Sequence, residues 1–281
     1  MKKNVLLIVT LVLIITSCEK NSITDINDIL VLEGYLFQNE KIDSIHLVKS
    51  LPFATEDTVY TPVDDAQVSI FWNNQQYLLN NIGNGYYSYF GDNLSVEEEN
   101  TYSIEINYNG QIITSKTKVP KKTLIHPLEE TAVFIDTVSA FGPHQFNGTE
   151  EEALEVVWDN PDNSYYYVVI ESADSTAGDI IMGNDDFPDF FGNRPSEMFR
   201  FRSEPFIGDR YAINTRMLEK YGIHTVKVYS VNEEYANLYE NRTQDSRTLS
   251  EPVTNVNNGL GIFTAFSYAE VSLNVINKYR D

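Results

Sequence analysis

The hydrophobic residues of this chain recur mainly at every second position, which is the period of a β-strand with one buried face. Residues 101–108 are the clearest case, with apolar or aromatic side chains on one face: Tyr102, Ile104, Ile106 and Tyr108. A similar alternation runs through residues 66–72: Ala66, Val68, Ile70 and Trp72. The dipeptide Asn109-Gly110 then predicts a type I′ hairpin turn, because both of its positions need positive φ.

Seven short strands of this kind, separated by turn residues, are expected within residues 29–120. The last of them ends before Pro120, because a residue without an N–H cannot continue the ladder of a central strand. Short antiparallel strands at this spacing predict an Ig-like β-sandwich. Residues 121–150 are expected to form a linker or crossover to the next domain.

A second strand pattern predicts a second β-sandwich over residues 151–281. Its first strand has alternating apolar positions: Leu154, Val156 and Trp158. A turn at residues 160–163 and a tyrosine-rich strand follow. This arrangement resembles the second and third strands of a fibronectin type III module, in which a tryptophan packs between the sheets. The predicted fold class is therefore all-β, with two antiparallel β-sandwich domains, Ig-like and fibronectin type III-like.

Two segments interrupt the strand pattern of the second domain. Residues 174–222 are too long for an ordinary connection and are expected to form an elaborated insertion. Residues 232–242 follow a late strand and are expected to be helical. His224 is expected to lie in the turn that precedes this late strand.

The beginning of the chain has the pattern of a signal peptide. Two lysines precede an apolar stretch, residues 5–15, that is too short to span a bilayer. The only cysteine, Cys18, follows at a position that resembles a bacterial lipobox. The resemblance implies cleavage after residue 17, lipidation of Cys18 and a polar tether over residues 18–28. An ordinary signal peptide that precedes a cysteine by chance is the alternative.

The charge of the chain excludes some classes of partner. The formal net charge is −21, and without residues 1–17, which contain two lysines and no acidic residue, 18 basic and 41 acidic residues leave −23. Nucleic-acid binding depends on neutralising phosphates with Lys and Arg, so this balance argues against it. It also argues against a protein that lies on an anionic membrane surface. The acidic surplus favours solubility through mutual repulsion.

The sequence holds no recognisable catalytic or metal-binding motif. A nucleophile elbow, an H-E-x-x-H pair and a phosphate-binding loop are all absent. The four histidines share no metal-ligand spacing. We therefore expect a protein that is not an enzyme and that needs no cofactor.

One segment of the predicted insertion, GNDDFPDFFGN, combines acidic and aromatic residues. Its carboxylates could supply oxygen ligands to calcium, at a spacing that does not fit an EF-hand loop: Asp185, Asp186 and Asp189. A solvated acidic loop is the alternative. Its aromatic residues either fold inward over the sandwich or project to contact a partner or ligand: Phe187, Phe190 and Phe191.

Several short motifs, spread over most of the chain, resemble one known family. In chain order they are Glu33-Gly34, Pro62-Val63 with Ala66 and Val68, Tyr102 to Gly110, Val119-Pro120, and Asn255 to Phe263. Their order and the closing GLGIF resemble the domain of unknown function 4249 (DUF4249) family, which comprises outer-membrane lipoproteins of Bacteroidota. The stretch SEPFIGDRY, from Ser203, departs from the family pattern. Gly259 and Gly261 predict a tight bend or bulge before the last strand.

The resemblance implies a location and a class of partner more than an activity. Members of this family look like accessory proteins of TonB-dependent outer-membrane transporters. We therefore expect a protein anchored by its lipid to the outer membrane, facing the cell surface rather than the periplasm, with such a transporter as its partner. The resemblance implies no catalytic residue. A structural or adhesive surface protein that uses its sandwiches as spacers is the alternative.

The resemblance also implies a covalent modification. Bacteroidota attach O-glycans at Asp followed by Ser or Thr and then by an aliphatic residue or Thr. Four acceptors fit this pattern: Ser44, Thr58, Thr137 and Ser175. Thr58 and Ser175 lie in predicted loops and are the better candidates, because a bulky sugar needs an exposed acceptor. Chance matches in a strand-rich chain are the alternative.

Overall fold

The computed structural model of the chain describes these residues: 29–43, 45–50, 60–135, 138–139, 154–173, 178, 180–182, 200–214, 218, 220–240 and 253–278. Within them the chain forms nineteen β-strands and one short α-helix. The prediction of an all-β fold is therefore confirmed. The structure contains two β-sandwiches, which share one long strand.

The strands of the first sandwich lie between residues 30 and 118, apart from the shared strand. They are β1 (Leu30–Phe37), β2 (Ile45–Lys49), β3 (Thr61–Pro62), β4 (Gln67–Trp72), β5 (Gln75–Leu78), β6 (Asn80–Gly83), β7 (Tyr86–Ser88), β8 (Thr101–Tyr108) and β9 (Gln111–Lys118). Strands β5, β4, β8 and β9 form a four-stranded antiparallel sheet in that order. The other five strands belong to the large sheet of the protein.

The remaining elements follow from residue 132 onward. They are β10 (Ala132–Ile135), β11 (Val138–Ser139), β12 (Leu154–Val157), β13 (Tyr165–Ser172), β14 (Ile181–Met182), β15 (Arg200–Arg202), β16 (Phe206–Ile207), β17 (Arg210–Ile213), β18 (Gly222–Val231), α1 (Glu233–Glu240) and β19 (Leu260–Asn277). The large sheet has the order β15-β13-β18-β19-β1-β2-β7-β6, with β3, β10 and β16 paired beside it. Two small sheets are formed by β11 with β14 and by β12 with β17.

The last strand, β19, joins the two sandwiches. Its 18 residues extend for about 60 Å. Its first part pairs in parallel with β1, from Val31 opposite Leu260 to Phe37 opposite Phe266. From Phe266 onward it pairs antiparallel with β18. The large sheet therefore runs through both sandwiches. In each sandwich different strands pack against it.

The first hydrophobic core lies between the four-stranded sheet and the β1–β2 side of the large sheet. The face predicted from residues 101–108 is buried here, and so are Val68 and Ile70. Asn109 and Gly110 both have positive φ, 50° and 82°, as the predicted type I′ turn requires. These local predictions are confirmed because the strand period and the turn chemistry both act over a few residues.

The second core lies between the β13–β18–β19 side of the large sheet and the β12–β17 pair. Trp158 is 1% exposed at its centre and contacts the rings of Tyr166 and Phe206, which confirms its predicted packing between sheets. The predicted helix is confirmed as α1. The prediction for His224 is wrong: this residue is 4% exposed and lies within β18, because its alternation places it on the core side of the strand.

Residues from the end of the chain complete the first core. Val256, Phe263 and Ala265 pack into it with residues of β1, β2 and β8. The predicted boundaries, residues 29–120 and 151–281, remain a prediction about what folds independently. Because of the strand pairing, we expect that residues 29–120 also need the segment from Val256 to Ala265 in order to fold.

The closing GLGIF motif has a structural role at this junction. Gly261 has a φ of +102°, and a Cβ at this position would lie 2.0 Å from the carbonyl oxygen of Leu32. The side chain of Asn255 accepts a hydrogen bond from the N–H of Phe263 and donates one to its carbonyl oxygen. Phe263 in turn packs so closely on Gly34 that a Cβ there would lie 2.7 Å from its ring. Two motifs from opposite ends of the sequence therefore meet in one contact, and the predicted bend at the glycines is observed.

No helix within the described part of the chain is long and apolar enough to cross a membrane.

Candidate binding face of the large sheet

The large sheet has a second side, opposite the two cores, which we call the outer face. Odd-numbered residues of β19 such as Phe263 and Leu273 enter the cores, whereas even-numbered ones such as Phe266 and Tyr268 point to the outer face. A third hydrophobic cluster lies there. Its members are Tyr167, Val169, Tyr229, Val231, Tyr235, Ile262 and Phe266, with the partly buried Tyr35, Phe37, Tyr165, Leu238, Tyr239 and Tyr268 around them.

The rings of this cluster pack in specific geometries. Tyr167 and Tyr229 are register partners on β13 and β18, and their rings stack at 4.7 Å with an interplanar angle of 7°. Phe37 stacks on Phe266 at 5.0 Å, and Tyr235 meets the same ring edge-on at 4.8 Å. Offset stacking and edge-to-face contacts are the arrangements that aromatic quadrupoles favour. The cluster is therefore a packed layer of defined geometry.

Helix α1 covers part of the outer face and is tied to the first sandwich. Two residues of the helix, Tyr235 and Ala236, are buried, and Tyr235 packs into the outer-face cluster. The side chain of Asn232, immediately before the helix, donates hydrogen bonds to Thr117 Oγ1 at 3.0 Å and to the Lys118 carbonyl oxygen at 2.9 Å. A helix of eight residues is too short to be stable alone, so these contacts fix its position.

Two cations on the outer face are engaged within the protein. Strand β15 pairs with β13 and brings the guanidinium of Arg202 to 4.5 Å from the ring centre of Tyr167 and 5.6 Å from that of Tyr235. Lys227 lies 3.1 Å from a carboxylate oxygen of Glu171 and 5.2 Å from the ring centre of Tyr268. Their charges are partly balanced by rings and by one carboxylate. Two acids on the same side of the sheet, Glu33 and Glu270, are not paired with these cations in the observed ion pairs.

A cleft of about 410 Å³ lies at the β1–β2–β7 end of the outer face. Its lining comes from four parts of the chain and consists of Glu33, Tyr35, Asp43, His46 and Tyr86. The rings of His46 and Tyr86 stack at 4.2 Å with an interplanar angle of 13°. His46 Nδ1 lies 3.6 Å from Glu33 Oε2. We call this the acidic aromatic cleft.

A tight turn places Tyr86 beside His46. Asn84 and Gly85 have φ values of 54° and 77°, which form a turn between β6 and β7. A Cβ at Gly85 would lie 2.3 Å from the Leu47 carbonyl oxygen, so only glycine fits. The N–H of Gly85 donates a 2.6 Å hydrogen bond to Asp64. This bond, followed by one from the Asn81 side chain, lowers the pKa of the Asp64 carboxyl below its usual value.

The position of Asp43 is fixed from its neighbour in the chain. Ile42 is buried in the first core. Its carbonyl oxygen accepts hydrogen bonds from the Tyr89 N–H at 2.8 Å and from the Ser88 hydroxyl at 3.1 Å. Asp43 therefore extends from an anchored backbone toward the cleft.

Tyr35 connects the cleft with the aromatic cluster. It lines the cleft and also packs against the cluster, where its ring lies 6.1 Å from that of Phe266. Burial raises the pKa of the Tyr35 hydroxyl, and the nearby Glu33 and Tyr239 raise it further while Arg202 opposes them. The cleft and the cluster therefore form one continuous surface.

The histidines among the described residues lie in separate parts of the fold. Within the described residues no group of three or more His, Cys, Asp or Glu side chains is placed to hold a metal ion. His46 lines the cleft, His126 lies 2.8 Å from Asp159, and His224 is buried in the second core.

The site residues expected from the sequence lie outside the described residues. This applies to the lipidation site Cys18, to the aromatic residues Phe187, Phe190 and Phe191, and to the weak calcium candidates Asp185, Asp186 and Asp189. It applies equally to the glycosylation candidates Ser44, Thr58, Thr137 and Ser175. All of them stay predictions.

Sequence reasoning missed the outer face, although one signal was present. Tyr35 and Phe37 occupy the face of β1 that points away from the first core, where a one-sided sandwich strand would carry polar residues. Tyr165 and Tyr167 repeat this on β13. Strands with large side chains on both faces indicate a sheet covered, or available for contact, on both sides.

These observations define the class of protein: an all-β chain in which two sandwiches share a strand and the opposite side of the sheet is aromatic. A family model described as "Domain of unknown function (DUF4249)" matches residues 19–272. The chain therefore belongs to the DUF4249 family, and the resemblance noted from its motifs is confirmed.

Comparisons with other proteins give only distant likenesses. No curated protein matches the chain. A crystal structure of domains from titin is 11% identical, with a TM-score of 0.22, over 88% of this chain and 66% of that one. A second titin structure is 11% identical over 89% and 96%, with a TM-score of 0.21. CBD12 from CALX1.2 is 10% identical over 85% and 98%, with a TM-score of 0.18.

Proposed function

We propose that this protein is a non-catalytic, lipid-anchored lipoprotein of the outer membrane that serves as a binding or assembly component of a TonB-dependent uptake system. The observation that carries the binding role is the outer face, where Arg202 lies against the buried rings of Tyr167 and Tyr235 and partly buried tyrosines lie around them. Tyrosine and arginine are enriched among the residues that dominate protein–protein binding energies. Family membership supports the location and the class of partner.

The arrangement of the outer face favours contact with a protein partner. Tyr35, Tyr165 and Tyr268 are partly buried, so their rings are held by neighbours while part of each surface stays accessible. Rings that are already held lose little conformational freedom on binding.

Affinity capture from detergent-solubilised membranes of the native host tests this function. We expect the lipidated protein to retain a TonB-dependent transporter, identified by mass spectrometry. The double variant Tyr35→Ala, Tyr268→Ala should retain at least about tenfold less, because loss of two hot-spot residues costs more than about 1.4 kcal/mol.

A matched variant controls for unspecific loss of apolar surface. Ile112 and Phe134 are 49% and 62% exposed and are not members of the outer-face cluster. The double variant Ile112→Ala, Phe134→Ala should retain the transporter as the wild type does. If no transporter is enriched over an unrelated lipoprotein bait, the proposed partner is wrong.

The lipid anchor has a separate test. Cys18→Ala removes the sulfur that would carry the lipid, and the variant should move from the membrane fraction to the soluble fraction. Unchanged membrane retention would contradict lipidation at this residue. Protease treatment of intact cells then distinguishes a surface-facing protein, which is degraded, from a periplasm-facing one, which is protected.

A spacer role is the second candidate function, and the continuity of β19 favours it. A strand that passes from one sandwich into the other holds them in a fixed relation. A spacer needs that rigidity but not the outer face, so its surface function should survive the Tyr35→Ala, Tyr268→Ala substitutions.

A further inference from the structure

We propose that the acidic aromatic cleft binds a cationic side chain, the guanidinium of arginine or the ammonium of lysine, presented by a polypeptide partner. This inference rests on the proposed function, because it takes the partner to be a protein. It adds the chemistry of the segment that the partner inserts.

The lining of the cleft matches a cation. Tyr35, Tyr86 and His46 supply ring surfaces, and the faces of aromatic rings attract cations. Glu33 and Asp43 supply carboxylates at the same cleft, and these lining residues include no lysine or arginine. A guanidinium can stack on a ring and hydrogen-bond a carboxylate at the same time, which makes arginine the better of the two candidates.

A tight turn and the strand register fix the shape of the cleft. The tight turn at Gly85, which only glycine fits, sets the Tyr86 ring nearly parallel to that of His46. The cross-strand register places Glu33 opposite His46 and His46 opposite Tyr86, so three lining residues lie in one row across β1, β2 and β7. A volume of about 410 Å³ is near the lower end of the range for ligand pockets and suits one long side chain.

The charges around the cleft favour a basic partner. Among the basic side chains described on the outer face, Arg202 stacks on tyrosines and Lys227 pairs with Glu171, so these two cations have partners within the chain. The whole chain carries a formal charge of −21. Such a field accelerates the approach of a positively charged partner and suppresses binding of acidic ones.

The continuity of the cleft with the aromatic cluster favours a polypeptide over a free small amine. Tyr35 belongs to both, so a segment inserted in the cleft continues over the half-buried rings beside it. A free amine would contact the cleft alone.

Nuclear magnetic resonance of the histidine rings tests the inference on the full-length mature protein. The chain has only four histidines, so the ring signals of His46 can be resolved and followed. The probe is N-acetyl-arginine amide, and N-acetyl-citrulline amide is the neutral control of nearly equal shape. We expect a saturable shift of the His46 signals with the arginine probe and at least a tenfold weaker response with citrulline.

Variants assign the effect to the two carboxylates. Glu33→Gln, Asp43→Asn keeps the size of both side chains and should weaken the arginine probe at least tenfold. Glu270→Gln removes one charge from the same face, opposite Lys227 and away from the cleft, and should leave binding unchanged. The inference is overturned if His46 does not shift with about 20 mM of the arginine probe, well above a Kd of about 1 mM, or if citrulline acts equally.

The source of the cation is tested with a longer probe. The peptide acetyl-Ala-Leu-Arg-Leu-Ala-amide should bind at least tenfold more tightly than the single amino acid, because its flanking residues reach the aromatic rings. Equal affinity would overturn the assignment to a polypeptide partner and indicate a small organic cation.

The capture experiment separates this inference from the proposed function. If the wild type and Glu33→Gln, Asp43→Asn retain the transporter equally, the function stands and the role of the cleft in it is wrong. If the arginine probe binds but no transporter is retained, the chemistry of the cleft stands and the proposed partner is wrong.

Discussion

The two faces of the large sheet bury side chains of different chemistry, and the core side buries more of them. The core side packs mainly aliphatic residues around Phe263 and Trp158. The outer face packs tyrosines, and Arg202 and Lys227 lie against their rings. A tyrosine at the rim can bury its ring while its hydroxyl stays near water, whereas a leucine has no such polar end. The comparison teaches that one strand, β19, supports folding with one face and carries aromatic side chains on the other, which is the face proposed for binding.

The largest expected effect concerns the core side and follows from removing β19. A fragment of residues 29–120 lacks Phe263 and Ala265 and loses the parallel partner of β1. We expect it to be unfolded by circular dichroism and to lack a cooperative thermal transition.

A fusion provides the control for this fragment. Residues 29–120 joined through a flexible Gly/Ser linker to residues 253–266 regain the missing strand and should fold. A folded, cooperative fragment without that strand would instead support independent folding within the boundary predicted from the sequence.

The next largest effect is a large cavity in the second core. Trp158→Ala should lower the free energy of unfolding by about 3–5 kcal/mol, measured by urea denaturation, because the indole is fully buried. Tyr268→Ala on the outer face also removes a ring, but a half-buried one, and should cost about 1 kcal/mol. Equal losses would mean that the outer face is as much a core as the inner one.

The contact between the two end motifs gives a smaller but specific effect. Gly261→Ala meets both a positive φ and the Leu32 carbonyl oxygen, and should cost more than about 3 kcal/mol if the strand cannot shift, or about 1–3 kcal/mol if it relaxes. Gly110→Ala also has positive φ but open space around it, so it should cost only about 1 kcal/mol. Similar losses for both variants would show that the positive φ determines the cost, and not the close approach of Gly261 to the Leu32 carbonyl oxygen.

Acidification should lower the free energy of unfolding through His224, which is buried on the core side. Burial lowers the pKa of this histidine, and the hydrogen bond to the Gly222 carbonyl oxygen opposes that shift without cancelling it. His224 therefore becomes protonated near pH 6.5 in the unfolded chain but stays neutral at that pH in the folded protein. The free energy of unfolding falls as the pH drops below about 6.5, because the unfolded state then binds more protons. Above about pH 7.5 the effect is absent.

A substitution isolates this contribution. His224→Gln cannot titrate, so the difference in stability between the variant and the wild type should change between about pH 7.5 and pH 5 and be constant above that range. A difference that does not vary with pH would mean that His224 is protonated equally in both states.

The smallest expected effect is that of the cleft on stability. Glu33 is about half exposed, so Glu33→Gln should change the free energy of unfolding by less than about 0.5 kcal/mol. The same substitution, with Asp43→Asn, is expected to reduce binding of the arginine probe at least tenfold. A large loss of stability would assign Glu33 to the fold and not to recognition.

Features that depend on a few neighbouring residues could be predicted from the sequence. The alternation at Tyr102, Ile104 and Ile106, the turn at Asn109-Gly110 and the buried Trp158 were all predicted and observed. The strand period and the φ requirement of a turn are local properties, so they can be read without knowing which strands are neighbours.

The sequence by itself determined that this is an all-β protein with two sandwiches and that its closing motif needs glycine. Only the tertiary structure decided that β19 pairs with β1, that Asn255 holds Phe263 against Gly34, and that Glu33, His46 and Tyr86 share a cleft. The physical reason is that the two-residue period of a strand identifies which of its side chains share a face. It does not identify which strand lies beside it. Partner choice depends on hydrogen bonds and packing between residues far apart in the chain, and so does any site built across several strands.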